Sequence, residues 1–209
     1  MLMGQLKPTS GMVHLNGENI TGLPPRTIWR KGVGRTFQIT STYQSMTVIE
    51  NIQMALISYH KRLFSFLPYA RNLYRDEAIQ LADLVGMKAQ TERACAILAY
   101  GDRKRLELAI ALAHDPSILF MDEPTAGMAP SERITLMDLI ADIVRERAIS
   151  VLFTEHDMDV VFGNAHRIMV LNRGKLIADG SAEDIRNDSQ VKEVYLGGGR
   201  LFAEDAANA

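Results

Sequence analysis

Two acids stand side by side where a strand should end. The run Ile118-Leu119-Phe120-Met121 is apolar and β-prone, and Asp122, Glu123 and Pro124 come directly after it. An ionised carboxylate left in an apolar interior is costly unless something shares its charge. One arrangement that would repay the cost is a divalent cation. Mg²⁺ binds through one or two carboxylates together with substrate phosphates, and it keeps several waters. The neighbouring acid can then orient or deprotonate a water that attacks a phosphate. Asp122 and Glu123 therefore read as a metal-holding residue and a general base. The plainer alternative stays open: acids at a strand end that cap the next helix or pair with Arg or Lys.

Three other positions carry weaker signals of the same chemistry. In "LAYGDRKRLELAIALAHDP", Ala99, Tyr100, Gly101 and Asp102 open a helix. The free N–H groups at such a start attract a phosphate. A Gly-capped amphipathic helix is also common anywhere. In "TEHDMD", His156 follows a second apolar run, where a histidine is ordinarily a surface or hydrogen-bonding residue. In "RTFQ", Gln38 follows a short β-prone run and could ligate a metal or hold a water. Alone, it means little.

The elements that must hold these residues alternate. "PTSGMVHLNGENI" reads as a hairpin turning at Asn16-Gly17, a pair suited to a type I′ turn. "LPPRTIWRKG" is a short helix opened by prolines. Thr47 and Glu50 form a capping box ahead of "NIQMALI", and "RDEAIQLADLVG" has helical spacing with Gly86 just past its end. Then come a helix from about 101 to 113, the strand "ILFM", and a helix over 131–147 with Ile134, Met137, Ile140 and Val144 on one face. The strands "ISVLFT" and "RIMVL" come next, and "NRGK" turns into the edge hairpin strand "LIADG". Helices alternating with apolar β runs predict a parallel sheet covered on both faces. In such sheets ligands lie beyond the carboxyl ends of the strands, which is where Asp122 and Glu123 fall. The helical stretch after residue 46 interrupts the alternation and reads as an inserted subdomain.

Bulk properties bound the rest. The 209 residues are 47% hydrophobic and 23% charged, ordinary for one globular domain. The net charge of -2 supplies no basic field for nucleic acid. The single cysteine, Cys95, excludes an internal disulfide and fits a reducing compartment. No apolar run approaches the roughly 18–20 residues that cross a bilayer.

Taken in order, Gln38, "LAYGD", "DEPTAGMAPSE" and His156 resemble the Q-loop, signature, Walker B plus D-loop, and H-loop of ATP-binding-cassette (ABC) ATPases. "NGENITGLPP", "GRTFQ", "MTVIENI" and "VYLG" are similar to the ATP-binding subunits of branched-chain amino acid importers, with urea and other amide importers sharing much of the wording. The resemblance implies a P-loop NTPase-like α/β core, its parallel sheet carrying an inserted helical subdomain over about 46–113, within one domain spanning 1–196. Residues 197–209 form a glycine- and alanine-rich tail. ATP and Mg²⁺ are the implied cofactors. Asp122 and Gln38 would serve the metal, Glu123 would be the base, and His156 would contact the γ-phosphate. Ala99, Tyr100, Gly101 and Asp102 would address the nucleotide of a second ATPase subunit. The implied partners are that subunit, transmembrane permease subunits and, indirectly, a periplasmic binding protein, with no nucleic acid. The implied location is the cytoplasmic face of the membrane, where Phe64, Phe66, Leu67 and Tyr69 belong to a stretch suited to a permease helix.

Two departures qualify the resemblance. No G-x-x-x-x-G-K-[ST] run occurs in the sequence. "MLMGQLKPTSG" matches the segment just after that loop in the family, so the chain is expected to be an N-terminally shortened member with little ATP affinity and a sheet lacking a strand beside "ISVLFT". Ala99 stands where the family usually has serine, removing one hydrogen bond to a charged group, worth about 1.5–3 kcal/mol. Two other readings remain open: a non-catalytic interaction module, and a cassette protein of repair or translation.

Overall fold

The computed structural model describes residues 2–36, 42–62 and 72–196. Gln38, the apolar residues Phe64, Phe66, Leu67 and Tyr69, and the tail 197–209 lie outside the described residues. The chain divides into two compact units, Met1–Glu155 and His156–Ala209.

The first unit opens with the hairpin β1 (His14–Leu15) and β2 (Glu18–Asn19), antiparallel. Asn16 and Gly17 both have positive φ, 49° and 81°, as a type I′ turn requires. The helix α1 (Pro25–Arg30) comes next, with Pro at its start, and then β3 (Val33–Arg35). Ile20, Ile28 and Val33 form a small core under this region, with Leu15, Leu23, Ile118 and Phe120 packed against it.

Between β3 and β4 come the helices α2 (Val48–Tyr59), α3 (Arg75–Leu84) and α4 (Tyr100–Leu112), which pack on one another. The α2 cap is reciprocal: Glu50 N–H donates to Thr47 Oγ1 (3.3 Å) and Thr47 N–H donates to Glu50 Oε2 (2.8 Å). Val48, Ile52 and Leu56 of α2, Ala78 and Ala82 of α3, and Leu106, Leu108 and Leu112 of α4 are buried. Inside α4 lies a pair that helical periodicity does not reveal. Lys104 and Glu107, one turn apart and almost wholly buried, approach to 3.7 Å. Lys104 Nζ also lies 5.7 Å from the centroid of the Tyr100 ring, within cation–π range.

The central sheet of this unit is parallel, in the order β3-β4-β5, with β4 (Ile118–Asp122) flanked by β3 and by β5 (Ser150–Thr154). Arg35 lies opposite Phe120, and Asp122 opposite Thr154. Gly34 is tightly enclosed: a Cβ there would lie 3.0 Å from both the Ala111 carbonyl oxygen and Leu119 Cδ1, closer than most side-chain contacts. β3 thus runs tight against the end of α4 and β4. The helix α5 (Pro130–Arg147) joins β4 to β5. Its buried face is Leu136, Met137, Ile140 and Ile143, whereas Ile134 is 64% exposed. The expected Ile134–Val144 stripe is therefore rotated toward Leu136 and Ile143. Among the described residues β5 has one strand neighbour, β4, and its Val151, Leu152 and Phe153 are half-buried rather than buried.

His114, just past the end of α4, is 3% exposed. Trp29 of α1 lies over its ring, with centroids 4.6 Å apart. Neither ring nitrogen finds a well-aligned hydrogen-bond partner. Burial pushes its pKa below the usual histidine range, and the Val33 backbone and the Asp115 charge offset only part of that effect.

The second unit holds α6 (Met158–Asn164), the antiparallel pair β6 (Ile168–Asn172) and β7 (Lys175–Gly180), α7 (Ala182–Asn187) and α8 (Ser189–Leu196). Arg173 and Gly174 both have positive φ, and they make the expected hairpin turn. Ile168, Val170, Ile185 and Val191 form its core. The expected place of "RIMVL" in the parallel sheet is not among the described pairings, where β6 joins β7.

Candidate functional site

Three parallel strands end together, and each contributes a residue to one cluster. β4 ends on Asp122, β3 on Arg35 and β5 on Thr154. The Thr154 hydroxyl donates to Asp122 Oδ1 at 2.8 Å. An Arg35 guanidinium nitrogen lies 3.7 Å from Asp122 Oδ2. Both oxygens of the carboxylate therefore have a partner, and the side chain remains 44% exposed at the open end of the sheet. The acid thus escapes the cost of burial: it sits at the rim, in reach of water, and an arginine shares its charge. The alternative of pairing with arginine is realised, and it leaves Asp122 reachable from solvent.

Glu123 continues the chain with φ of +46°, a left-handed conformation that glycine takes freely and other residues rarely do. Its N–H donates to the Thr154 carbonyl oxygen (3.0 Å) and toward Thr154 Oγ1 (3.3 Å). Two tight turns come next, Ala126 N–H to the Glu123 oxygen and Met128 N–H to the Thr125 oxygen, each 3.2 Å. Arg133 Nε donates to the Met128 carbonyl oxygen at 2.9 Å and closes the loop onto α5.

Ala99 precedes α4 as its N-cap and offers no side-chain cap. Ala99, Gly101 and Asp102 line a cavity of about 230 Å³ together with Arg105, Met128, Ser131 and Glu132. The structure thus brings the α4 start against the loop beyond Glu123. Tyr100 marks the junction: a Cβ on Gly127 would meet its ring at 3.7 Å. Asp122 and Glu123 do not line that cavity. His156 is exposed and opens the second unit, and Gln38 lies outside the described residues.

Sequence reasoning missed Arg35, Thr154, Thr125 and Glu155. Arg35 stands in the quoted "GRTFQ" and Glu155 immediately before His156, yet their partners are fixed by parallel register across 30 or more residues, which a linear pattern does not carry.

A resident cation fits this cluster in part. Among the described residues no three His, Cys, Asp or Glu side chains converge as a metal cage. One half-exposed carboxylate suits the way Mg²⁺ is held when phosphates supply other ligands. No run of the sequence supplies the glycine-rich nest and lysine for those phosphates.

The fold is that of an ATP-binding cassette. The structure superimposes on MJ1267, an ATP-binding cassette of an ABC transporter in its ADP conformation, with a TM-score of 0.81 and 26% identity, covering 94% of this chain and 80% of that one. The cbiO1 cassette from Clostridium perfringens shares the fold, with a TM-score of 0.74, 23% identity, and coverage of 93% and 76%. The ABC transporter family model matches residues 1–126, and a model for the branched-chain amino acid ATP-binding cassette transporter matches residues 175–200. The chain belongs to the ABC transporter ATP-binding family. It is 39% identical over 206 residues to the high-affinity branched-chain amino acid transport ATP-binding protein LivG of Escherichia coli, covering 94% of this chain and 80% of LivG. It is 40% identical over 207 residues to BraF of Pseudomonas aeruginosa, of the same description, with the same coverage. It is 34% identical to the lipopolysaccharide export protein LptB of Haemophilus influenzae, covering 94% and 78%. The family uses ATP and Mg²⁺, and its ATPase subunits work with permease components.

Proposed function

We propose that this chain is the nucleotide-hydrolysing subunit of an importer of branched-chain amino acids, organised as one cassette domain over residues 1–196. The observation that carries the substrate class is the match of residues 175–200 to the branched-chain amino acid cassette model, reinforced by LivG and BraF. LptB, named for lipopolysaccharide export, shows that general likeness alone does not favour one cargo, so the C-terminal match is the observation that supports this reading.

In this reading Asp122 holds Mg²⁺, with Thr154 and Arg35 fixing its rotamer and sharing its charge. When bound, the cation neutralises charge on the phosphates. Glu123 would act as the general base toward water, Gln38 would serve the metal with Asp122, and His156 would contact the γ-phosphate. Ala99, Tyr100, Gly101 and Asp102 face the nucleotide of a second ATPase subunit. The assembly sits peripherally on the cytoplasmic face of the membrane, bound to permease subunits and served by a periplasmic binding protein. Among the described residues no helix is long and apolar enough to cross a membrane.

The 209 residues by themselves bind Mg·ATP weakly, because no phosphate loop occurs in them. Fusing a segment that carries G-x-x-x-x-G-K-[ST] ahead of Met1 creates Mg·ATP turnover. Glu123→Gln in that fusion lowers kcat by about 10²–10⁴-fold, the usual contribution of a positioned base. An inactive fusion, or a Glu123→Gln fusion as fast as its parent, refutes the assignment. Co-purification with a permease in membranes, and stimulation by a branched-chain amino acid with its binding protein, test the transport role.

A further inference from the structure

The loop after β4 contains a buried polar residue that the strand-end cluster does not explain. Thr125 is 1% exposed. Its backbone N–H and its hydroxyl both donate to one oxygen of Glu155, at 2.9 and 2.7 Å. Glu155 lies 30 residues along the chain, past the end of β5 and immediately before His156. Hydrogen bonds to an ionised acceptor are roughly twice as strong as neutral ones. Two of them on a single oxygen form a clamp.

The clamp grips the segment that begins at Glu123. Thr125 is two residues beyond the left-handed Glu123 and starts the turn that ends at Met128. Glu123 N–H is already tied to Thr154, the residue before Glu155. The segment Thr154-Glu155 therefore holds the loop at both of its first two anchor points. A non-glycine residue persists in the left-handed region only where its surroundings over-determine it. The surroundings here are Thr154 at one end and Glu155 at the other.

We propose that Glu155 is a positioning residue for Glu123: its carboxylate, through Thr125, imposes the loop conformation that aims the acid. The role of Glu123 as base rests on the proposed function, whereas the clamp itself can be read in the resting chain.

The test uses backbone amide exchange and the three-bond HN–Hα coupling of Glu123, measured by NMR on the 209-residue protein. In Glu155→Ala, exchange of the Thr125 amide rises about tenfold or more, the factor expected for losing a bond to a charged acceptor. The Glu123 coupling moves away from its left-handed value. Leu119 and Leu152, in the sheet, keep their exchange rates. Glu155→Gln retains an oxygen that can accept both bonds, so it restores the coupling and most of the protection. Thr125→Val removes only the hydroxyl and shifts the same signals in the same direction by less, which keeps the test open if Glu155→Ala does not fold. An unchanged Thr125 rate and Glu123 coupling in Glu155→Ala overturns the proposal. Loosening of Leu119 by the same factor, or a Gln variant as disturbed as the Ala variant, overturns it too. Turnover of the fused, loop-bearing protein is scored separately: its absence counts against the hydrolytic reading and leaves the NMR result standing.

Discussion

Replacing Thr154 by valine removes one hydroxyl from the strand-end cluster and almost nothing else. Valine keeps the β-branched shape that suits a strand, and Glu123 N–H keeps its stronger bond, to the Thr154 backbone oxygen at 3.0 Å. The losses are the 2.8 Å donation to Asp122 Oδ1 and the longer, 3.3 Å approach of Glu123 N–H to the hydroxyl. A hydrogen bond to an ionised acceptor contributes about 1.5–3 kcal/mol when buried. Asp122 is 44% exposed, so water recovers part of this, and a loss of about 1 kcal/mol is expected. For a chain of this length that corresponds to a Tm lower by roughly 2–4 °C. The assay is urea unfolding followed by the fluorescence of Trp29, the single tryptophan, which lies in the same unit. Thr154→Ser keeps the hydroxyl and should lose little. A double-mutant cycle with Asp122→Ala isolates the pair and should return a coupling of about 1 kcal/mol. A coupling under about 0.3 kcal/mol, or a serine variant as weak as the valine variant, would show that Thr154 does not hold the acid and that the cluster is not a built site.

Two other predictions concern the frame around the site. His114 has a depressed pKa in the folded protein, so the unfolded chain binds the proton more readily. The stability it contributes is complete above its unfolded pKa, about 6.5, and is lost as pH falls from there toward the folded value. His114→Phe, followed by unfolding at several pH values, should flatten that acid-side slope, and an unchanged slope would show that another group sets it. Gly34→Ala places a methyl 3.0 Å from the Ala111 oxygen and Leu119 Cδ1, with Pro116 Cγ at 3.2 Å. It should destabilise by about 1–3 kcal/mol, as overpacking does, and a neutral effect in urea unfolding would mean that β3 can slide.

Local chemistry was legible in the sequence wherever one segment decides it. The Asn16-Gly17 turn, the Thr47–Glu50 box and Gly86 with its φ of 72° all arise from residue type and spacing within a few positions. The acids at the end of β4 were legible for the same reason. Ile134 misled because its spacing to Met137 fits a helical stripe, while the geometry of α5 against its neighbours turns the buried face toward Leu136 and Ile143. The half-burial of β5 is a matter of strand order, which no window of residues encodes, whereas the pairing of β6 with β7 was legible in the turn at Arg173-Gly174. Arg35, Thr154 and Glu155 were hidden more deeply. Each gains its meaning from a partner on another strand or loop, and the parallel pairing of β3, β4 and β5 brings them within reach of Asp122 and Thr125. The buried Lys104–Glu107 pair was not legible at all, because charge in a sequence carries no sign of burial.

The positive φ of Glu123 has an evolutionary corollary. At this backbone angle glycine or asparagine is more comfortable, so the local optimum for folding and the side chain for chemistry are different amino acids. Variants selected for heat resistance alone would drift toward glycine at this position and discard the acid, whereas lineages that keep glutamate there reveal a demand that durability does not make.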